Sequence, residues 1–279
     1  LPALLAAILA IEGRPNASAV ALGVALMTKP QALPLAVPFA AWFVARGGVR
    51  GAARAGVVVG LTALVLWLPF LADGGPVRYA ANLAAYQGDD FAVLSLRAWN
   101  AWWLVQDAPS TGSFLSDLTP LVGPFTPRHL AFMIFGAIEV LVFRATLRRP
   151  TPRTLVLAIA TSGLAAFMVL TTMHERYSFP ALVFLLPLLP ERRFRWAWPV
   201  IALTALGNIL ATAPAFPELR LVVSNDNWTS MVGSVAMIGG FGVCLHAVLT
   251  SRGPSGTGPA DEEVEPVAER DEVPAEVVR

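Results

Sequence analysis

Three ionisable side chains stand next to one another at the end of an apolar stretch, in the segment His174-Glu175-Arg176-Tyr177. Charged groups at membrane depth are costly, so groups of this kind usually face a cavity or a pathway. An arginine offers several fixed donors that match a phosphate, and a histidine beside a carboxylate can hold or move a proton. The segment is therefore a candidate phosphate site. The alternative is an interfacial anchor made of a glutamate–arginine pair.

A second candidate is Lys29-Pro30-Gln31, which interrupts two apolar runs at 16–28 and 31–45. Proline removes a backbone donor and breaks a helix, and a discontinuous helix exposes backbone groups that often line an ion or anion site. The runs fit either two thin spans or one broken helix. Under both readings Lys29 can approach the face that holds His174. The alternative is a lysine that snorkels from a short helix end.

The remaining acidic candidates are less specific. Glu139 lies near the middle of the apolar run 129–147, where it is either a functional group or a neutral, hydrogen-bonded structural one. Asp89 and Asp90 suit a sugar or a metal, or only solvent. The single cysteine, Cys244, gives no thiolate cluster, and we expect neither a metal nor another cofactor.

The elements that must position these groups are membrane helices. Of the 279 residues 56% are hydrophobic and 14% are charged, against roughly a quarter charged in a soluble domain. A span needs about 20 mostly apolar residues. The sequence therefore predicts an all-α, polytopic transmembrane helix bundle over 1–250. Its clear spans are 54–71, 129–147, 154–173, 197–213 and 231–249, and its shorter apolar runs are 1–11, 16–28, 31–45 and 178–190.

Arginine placement predicts the orientation of the bundle. The arginines fall mainly in groups at 46–54, 144–153, 192–195 and 252, between apolar stretches, which is typical of cytoplasmic loops and not of a nucleic-acid surface. The positive-inside rule makes that side cytoplasmic, together with the acidic tail 251–279, which is expected to be disordered. Because the chain opens at Leu1 inside an apolar run, we expect it to be the C-terminal part of a longer protein.

The segment 72–128 falls on the outer side and is too long for a passive connection. Its middle, Val93 to Val105, mixes leucines and tryptophans with Arg97 and Asn100. That pattern predicts an amphipathic helix on the outer membrane face, with Trp99, Trp102 and Trp103 at the interface.

Three stretches together resemble a known family. Thr28-Lys29-Pro30-Gln31, followed by Leu35, Pro38 and Phe39, resembles the "KPQ…P" segment of multi-span glycosyltransferases that use polyprenyl-phosphate sugars. The stretch from Leu94 to Trp103 is similar to their outer-loop "N-x-W-W" sequence, and Met173-His174-Glu175-Arg176-Tyr177 is similar to their late "HER/HEK" turn. The resemblance covers about residues 16 to 190 and is nearest to bacterial relatives of the GPI-anchor second mannosyltransferase.

The resemblance implies a GT-C type enzyme in a bacterial plasma membrane. Such an enzyme moves a sugar, here expected to be mannose, from a polyprenyl-phosphate carrier to an acceptor on the extracytoplasmic face. It implies donor-phosphate contacts from Lys29, His174, Glu175 and Arg176. It also implies a substrate cleft that is shaped by Gln31, Asn100, Trp102, Trp103 and Tyr177.

In that family the catalytic acid lies in a first outer loop, which is expected to precede this chain, so the fragment alone is expected to be inactive. The sequence leaves two rival classes open. A transporter or lipid flippase also suits a broken helix and a mid-span Glu139, and a non-catalytic membrane subunit is the third possibility.

Overall fold

The computed structural model of the protein describes residues 1–85, 88, 91–107 and 114–251. Over these ranges the chain is helical, and its only β pairing consists of isolated bridges. The α-helices are α1 (Pro2–Ile11), α2 (Pro15–Thr28), α3 (Ala36–Trp67), α4 (Gly75–Ala85), α5 (Ala101–Asp107), α6 (Pro127–Arg148), α7 (Pro152–Val169), α8 (Phe179–Leu185), α9 (Arg192–Thr212) and α10 (Trp228–Leu249).

Five helical segments in the described part of the chain are long and apolar enough to cross a membrane. They are Pro30–Phe70, Pro127–Arg148, Pro152–Val169, Arg192–Thr212 and Trp228–Leu249. Each overlaps one of the clear predicted spans. The prediction of an all-helical protein with apolar, membrane-length helices is thereby confirmed, and we describe the chain as an integral membrane protein.

The interruption at Lys29-Pro30-Gln31 separates α2 from a 3₁₀ segment, Pro30–Leu35, that leads into α3. Lys29 itself is extended, with φ −159° and ψ 132°. A second break follows inside α3 at Gly48, whose φ of 64° and ψ of −173° are not helical. Positive φ is strained for residues that carry a Cβ, so a glycine suits this turn. The run 31–45 thus lies between two breaks, as a 3₁₀ segment followed by the first part of α3.

Helix α7 lies at the centre of the bundle and packs against α3, α6, α8 and α10. Its residues Leu155, Leu157, Ile159 and Leu164 are fully buried. The helix begins after an N-cap residue, Thr151, whose side chain accepts a hydrogen bond from the Thr154 amide. Most other helices keep one apolar face exposed, as expected for surfaces that meet lipid.

The basic groups converge at one end of the bundle. Arg46 donates to the Pro150 carbonyl over 3.1 Å. Arg153 forms a two-point ion pair with Glu191, with N–O distances of 2.5 and 2.7 Å. These contacts bring three of the four predicted arginine groups together. Which side of the membrane this end faces stays a prediction, and residues 252–279, including most of the predicted disordered tail, lie outside the described residues.

The segment after α3 differs from its prediction. Helix forms only from Ala101 to Asp107, not across Val93 to Val105. Leu94, Trp99 and Asn100 are buried in the bundle instead of lying on its surface. The cause is that Trp99 and Asn100 form hydrogen bonds to neighbouring elements, as described below. The exposed helix of this segment is α4.

Candidate functional site

The site lies where residues 93–97 cross the chain just after the end of α7. The backbone of Val93 to Arg97 runs beside Thr172 to His174. The Thr172 amide donates to the Val93 carbonyl at 3.2 Å, and the Leu96 amide donates to the Met173 carbonyl at 3.0 Å. Bridges also join Leu96 and Arg97 to His174. Two of the three stretches that resemble a family are therefore paired through their backbones.

A cavity of about 400 Å³ opens beside this crossing. The third stretch reaches it from the break between α2 and α3, because Lys29, Pro30 and Gln31 line one wall. His174 and Tyr177 line the facing wall. The remaining lining residues are mostly apolar and come from five other segments: Pro34, Leu35, Tyr79, Leu83, Phe91, Leu96, Gly163, Ala166, Thr172, Met173 and Pro180. A small polar patch thus sits in an apolar enclosure.

Lys29 supplies the positive charge of this cavity. Its ammonium nitrogen lies 5.1 Å from the centre of the Tyr177 ring, a cation–π distance. The Gln31 side chain hydrogen-bonds to Tyr177, and burial raises the pKa of the Tyr177 phenol, so the phenol keeps its proton. Lys29 is the only lysine in a chain of 20 basic Lys and Arg residues. A single lysine among arginines indicates a functional position, because the lysine ammonium is a compact point charge that can bind an anion by itself.

His174 lies between two aromatic rings. Its ring centre is 5.7 Å from that of Phe91 and 5.1 Å from that of Tyr177, both edge to face. Burial lowers the pKa of His174, and the charges of Arg176 and Lys29 lower it further against the opposing effect of Glu175. The imidazole is therefore neutral at pH 7 and has both a donor and an acceptor nitrogen available.

Glu175 and Arg176 form a pair beside the cavity. The Glu175 side chain is 11% exposed and accepts from Arg176 Nη1 at 2.8 Å, while its other oxygen lies 3.8 Å from His174 Nδ1. The Arg176 side chain is 55% exposed and is not among the residues that line the cavity. Of the four residues predicted to contact a donor phosphate, Lys29 and His174 line the cavity, whereas Glu175 and Arg176 do not.

An apolar groove of about 260 Å³ adjoins the cavity. The two share Lys29, Gln31, Leu35 and Pro180. The rest of the groove is formed by the start of α1, the end of α2 and one face of α8, through Leu1, Pro2, Ala3, Leu4, Ala25, Thr28, Ala32, Phe179, Val183 and Phe184. The site therefore combines a cationic pocket with a continuous hydrocarbon-like surface.

The other predicted cleft residues are used differently. Asn100 is fully buried, and its amide donates to the Phe167 carbonyl at 3.0 Å. Trp102 donates from Nε1 to the Val169 carbonyl at 2.5 Å. These are carbonyls of the last turn of α7, which lack partners within the helix. Asn100, Trp102 and the buried Trp103 are absent from the lining of the described cavity, so their contacts support anchoring and not a cleft.

Trp99 is an anchor that the sequence interpretation missed. Its backbone amide donates to Asn208 at 3.0 Å, and its indole Nε1 donates to Asn225 at 2.8 Å. The ring packs against Gly207 and Gly233, where a Cβ on either glycine would be crowded by ring carbons. The sequence signal that could have indicated this contact is a glycine inside each of two apolar helices, Gly207 and Gly233. A glycine inside a helix is unfavourable unless close packing requires it.

A buried ion pair supports the same crossing. Asp117 is fully buried, and its carboxylate takes two 2.8 Å bonds from Arg128 and one of 2.5 Å from Thr171. It was not singled out from the sequence, because a lone aspartate in a long loop carries no pattern. The Ser162 hydroxyl of α7 donates to Glu139 of α6 at 2.9 Å, which is compatible with either interpretation of Glu139. Asp89 and Asp90 lie outside the described residues.

Comparisons with known proteins give no match: no family model, no curated protein and no solved structure matches the chain.

Proposed function

We propose that the protein is a GT-C type glycosyltransferase that takes a sugar from a polyprenyl-phosphate carrier. One observation is the main support for this proposal. A pocket with a single strong cation opens directly into an apolar groove, and the two share Lys29 and Gln31. A ligand that fits both parts has an anionic head and a hydrocarbon tail. A lipid phosphate has that chemistry, whereas a soluble phosphate leaves the groove unused.

The polar part suits a phosphodiester, which carries one negative charge. Lys29 offers one positive charge and three donors, and the neutral His174 adds a donor without a second charge. Tyr177 keeps its phenolic proton and adds another donor. His174 and Tyr177 are partly buried, so the bonds that they donate are stronger than in water.

The reaction follows from these roles. The acceptor hydroxyl oxygen attacks the anomeric carbon of the sugar and forms the new glycosidic bond. The bond from that carbon to the phosphate oxygen breaks, and the electron pair leaves with the polyprenyl phosphate. Lys29 stabilises the added negative charge on the phosphate as it departs. The hydroxyl proton passes to a general base, to which we assign no residue among those described.

The proposal includes the orientation and the substrate. The cavity lies at the end of α7 opposite the arginine groups, so a cytoplasmic arginine end implies an extracytoplasmic site. A bacterial plasma membrane is proposed from the family resemblance. Mannose is proposed as the sugar from the family resemblance. The acceptor is left open, and no metal or other cofactor is invoked.

The test is sugar transfer in membranes that contain the protein expressed from its complete reading frame. Radiolabelled polyprenyl-phosphate-mannose is the donor, and Lys29→Gln is the central variant. Lys29 is exposed and outside every described ion pair, so its replacement should leave the fold intact. Loss of one charge-assisted bond should lower kcat/KM about tenfold to hundredfold.

Arg220→Gln is the matched control, because Arg220 is exposed in Pro217–Leu221 and does not line the cavity. It should transfer at the rate of the unmodified protein. Equal transfer by the Lys29 variant, at equal abundance, would contradict the phosphate role. Absence of transfer from mannose and every other polyprenyl-phosphate sugar would favour the transporter or flippase.

A further inference from the structure

A second polar cavity lies at the basic end of the bundle, away from the site described above. Its volume is about 370 Å³. It opens between two turns: the α1–α2 turn around Gly13, and the break at Gly48 inside α3. Its lining consists of Ala10, Ile11, Gly13, Pro15, Asn16, Trp42, Phe43, Arg46, Gly47, Gly51, Arg54 and Ala55. None of these residues lines the first cavity.

Two arginines from opposite sides of the Gly48 break reach this cavity. Arg46 precedes the break and Arg54 follows it. Arg46 is fixed in place, because its guanidinium lies 4.7 Å from the centre of the Trp42 ring and Nη2 donates to the Pro150 carbonyl at 3.1 Å. These contacts hold the planar group while leaving other N–H donors of the guanidinium for a ligand.

The charge of the lining is purely positive. No described lining residue is acidic, and Asn16 adds a neutral side-chain amide. The acid in the same turn is Glu12, whose carboxylate is 4.0 Å from Arg14 and does not line the cavity. Two guanidinium groups without a lining carboxylate favour an anion, and the fork of an arginine fits phosphate oxygens in particular.

The floor of the cavity is apolar. Trp42, Phe43, Ala10 and Ala55 are all buried and line the cavity together with the two arginines. A free phosphate would gain nothing from contact with this apolar surface. A lipid places its glycerol and first acyl carbons beside its phosphate, where they can contact it. Basic pockets between membrane helices recognise anionic lipid headgroups in this manner.

We propose that this cavity binds the phosphate of an anionic phospholipid, with Arg46 and Arg54 as its two ligands. The site is distinct from the proposed donor site and does not depend on the proposed function. The bound lipid bridges the α1–α2 turn and the two halves of α3. It thereby fixes the Gly48 break from which the chain leads back to Lys29.

The experiment is native mass spectrometry of the full chain in detergent, titrated with phosphatidylglycerol. The unmodified protein should retain one lipid preferentially. Each arginine removed should weaken that binding about fivefold, so Arg46→Gln with Arg54→Gln should weaken it about 25-fold. Arg144→Gln is the matched control, because Arg144 is an exposed arginine that does not line the cavity. It should bind as the unmodified protein does.

Arg54→Gln alone guards against a folding artefact, because Arg46 also holds the Pro150 carbonyl whereas no described hydrogen bond or ion pair involves Arg54. With an unchanged melting temperature, this variant should still show the fivefold loss. Equal binding by the double variant, or an equal loss in Arg144→Gln, would overturn the site. Displacement of the lipid by glycerol 3-phosphate or inorganic phosphate at equal concentration would overturn the lipid as its occupant.

Discussion

Replacing Trp99 should release the segment that closes the first cavity. The Trp99 side chain is 3% exposed and holds its segment to α9 and α10 through Asn208, Asn225 and the two glycines. A buried tryptophan removes about 150–250 Å² from solvent, and truncation to alanine typically costs about 3–5 kcal/mol. Trp99→Phe keeps a ring but leaves Asn225 without its indole donor, at about 1–3 kcal/mol.

The effect should be local to the crossing. At about 3–5 kcal/mol, the open population of the segment rises about 10²-fold to 4 × 10³-fold, because each 1.4 kcal/mol is a factor of ten. Backbone hydrogen bonds such as that from the Leu96 amide to Met173 would open with it. Hydrogen–deuterium exchange of peptides that cover 93–105 and 171–177 measures this directly.

The matched control is Trp196→Ala, because the Trp196 side chain is 73% exposed on α9. It should leave exchange of both peptides unchanged. Trp99→Phe should give an intermediate increase. If the exchange of 93–105 in Trp99→Ala equals that of the control, the anchoring role inferred for Trp99 is refuted.

Three further predictions test the packing and charge around this crossing. Gly233→Ala should lower the melting temperature, because its Cβ overlaps the Trp99 ring, whereas Gly136→Ala meets open space and should be neutral or stabilising. Asp117→Asn should destabilise the protein by about 1.5–3 kcal/mol, because it removes the buried charge that accepts bonds from Arg128 and Thr171, and the exposed Asp226→Asn should not. The pKa of His174 is lowered in the folded protein, so below pH 6.5 the unfolded chain binds a proton first and stability falls. His174→Gln should remove this loss of stability. Thermal unfolding in detergent from pH 7 to pH 5.5 measures this slope, which His246→Gln should retain.

The helical class and the membrane-length helices were predictable because they depend on composition and run length. The run 197–213 needed no tertiary information to be recognised, and the structure has a helix from Arg192 to Thr212. The proximity of Lys29 and His174 also followed from counting spans, which placed both on one face. Span counting works because a membrane helix has only two ends.

The segment between 93 and 107 was not predictable in the same way. Its leucines and tryptophans have helical spacing, but Ser95 and Asn100 find better partners in the fold than in a surface helix. Ser95 bonds to Ala98, and Asn100 bonds to Phe167 and Trp103. These partners lie up to 67 residues away in the sequence. The residue pattern within 93–107 cannot indicate that carbonyl acceptors at the end of α7 are available to these side chains.

The two cavities lie near opposite ends of α7, and this separation makes the two proposals independent. Helix α7 has 18 residues, so it rises about 27 Å between the Pro150 end, which Arg46 contacts, and the Val169 end, beside the first cavity. That distance is close to the hydrocarbon thickness of about 30 Å. One cavity uses a lone lysine among aromatic rings and the other uses two arginines, so each can select its own lipid phosphate. Removing Arg54 should therefore weaken lipid retention at one end while leaving sugar transfer at the other unchanged.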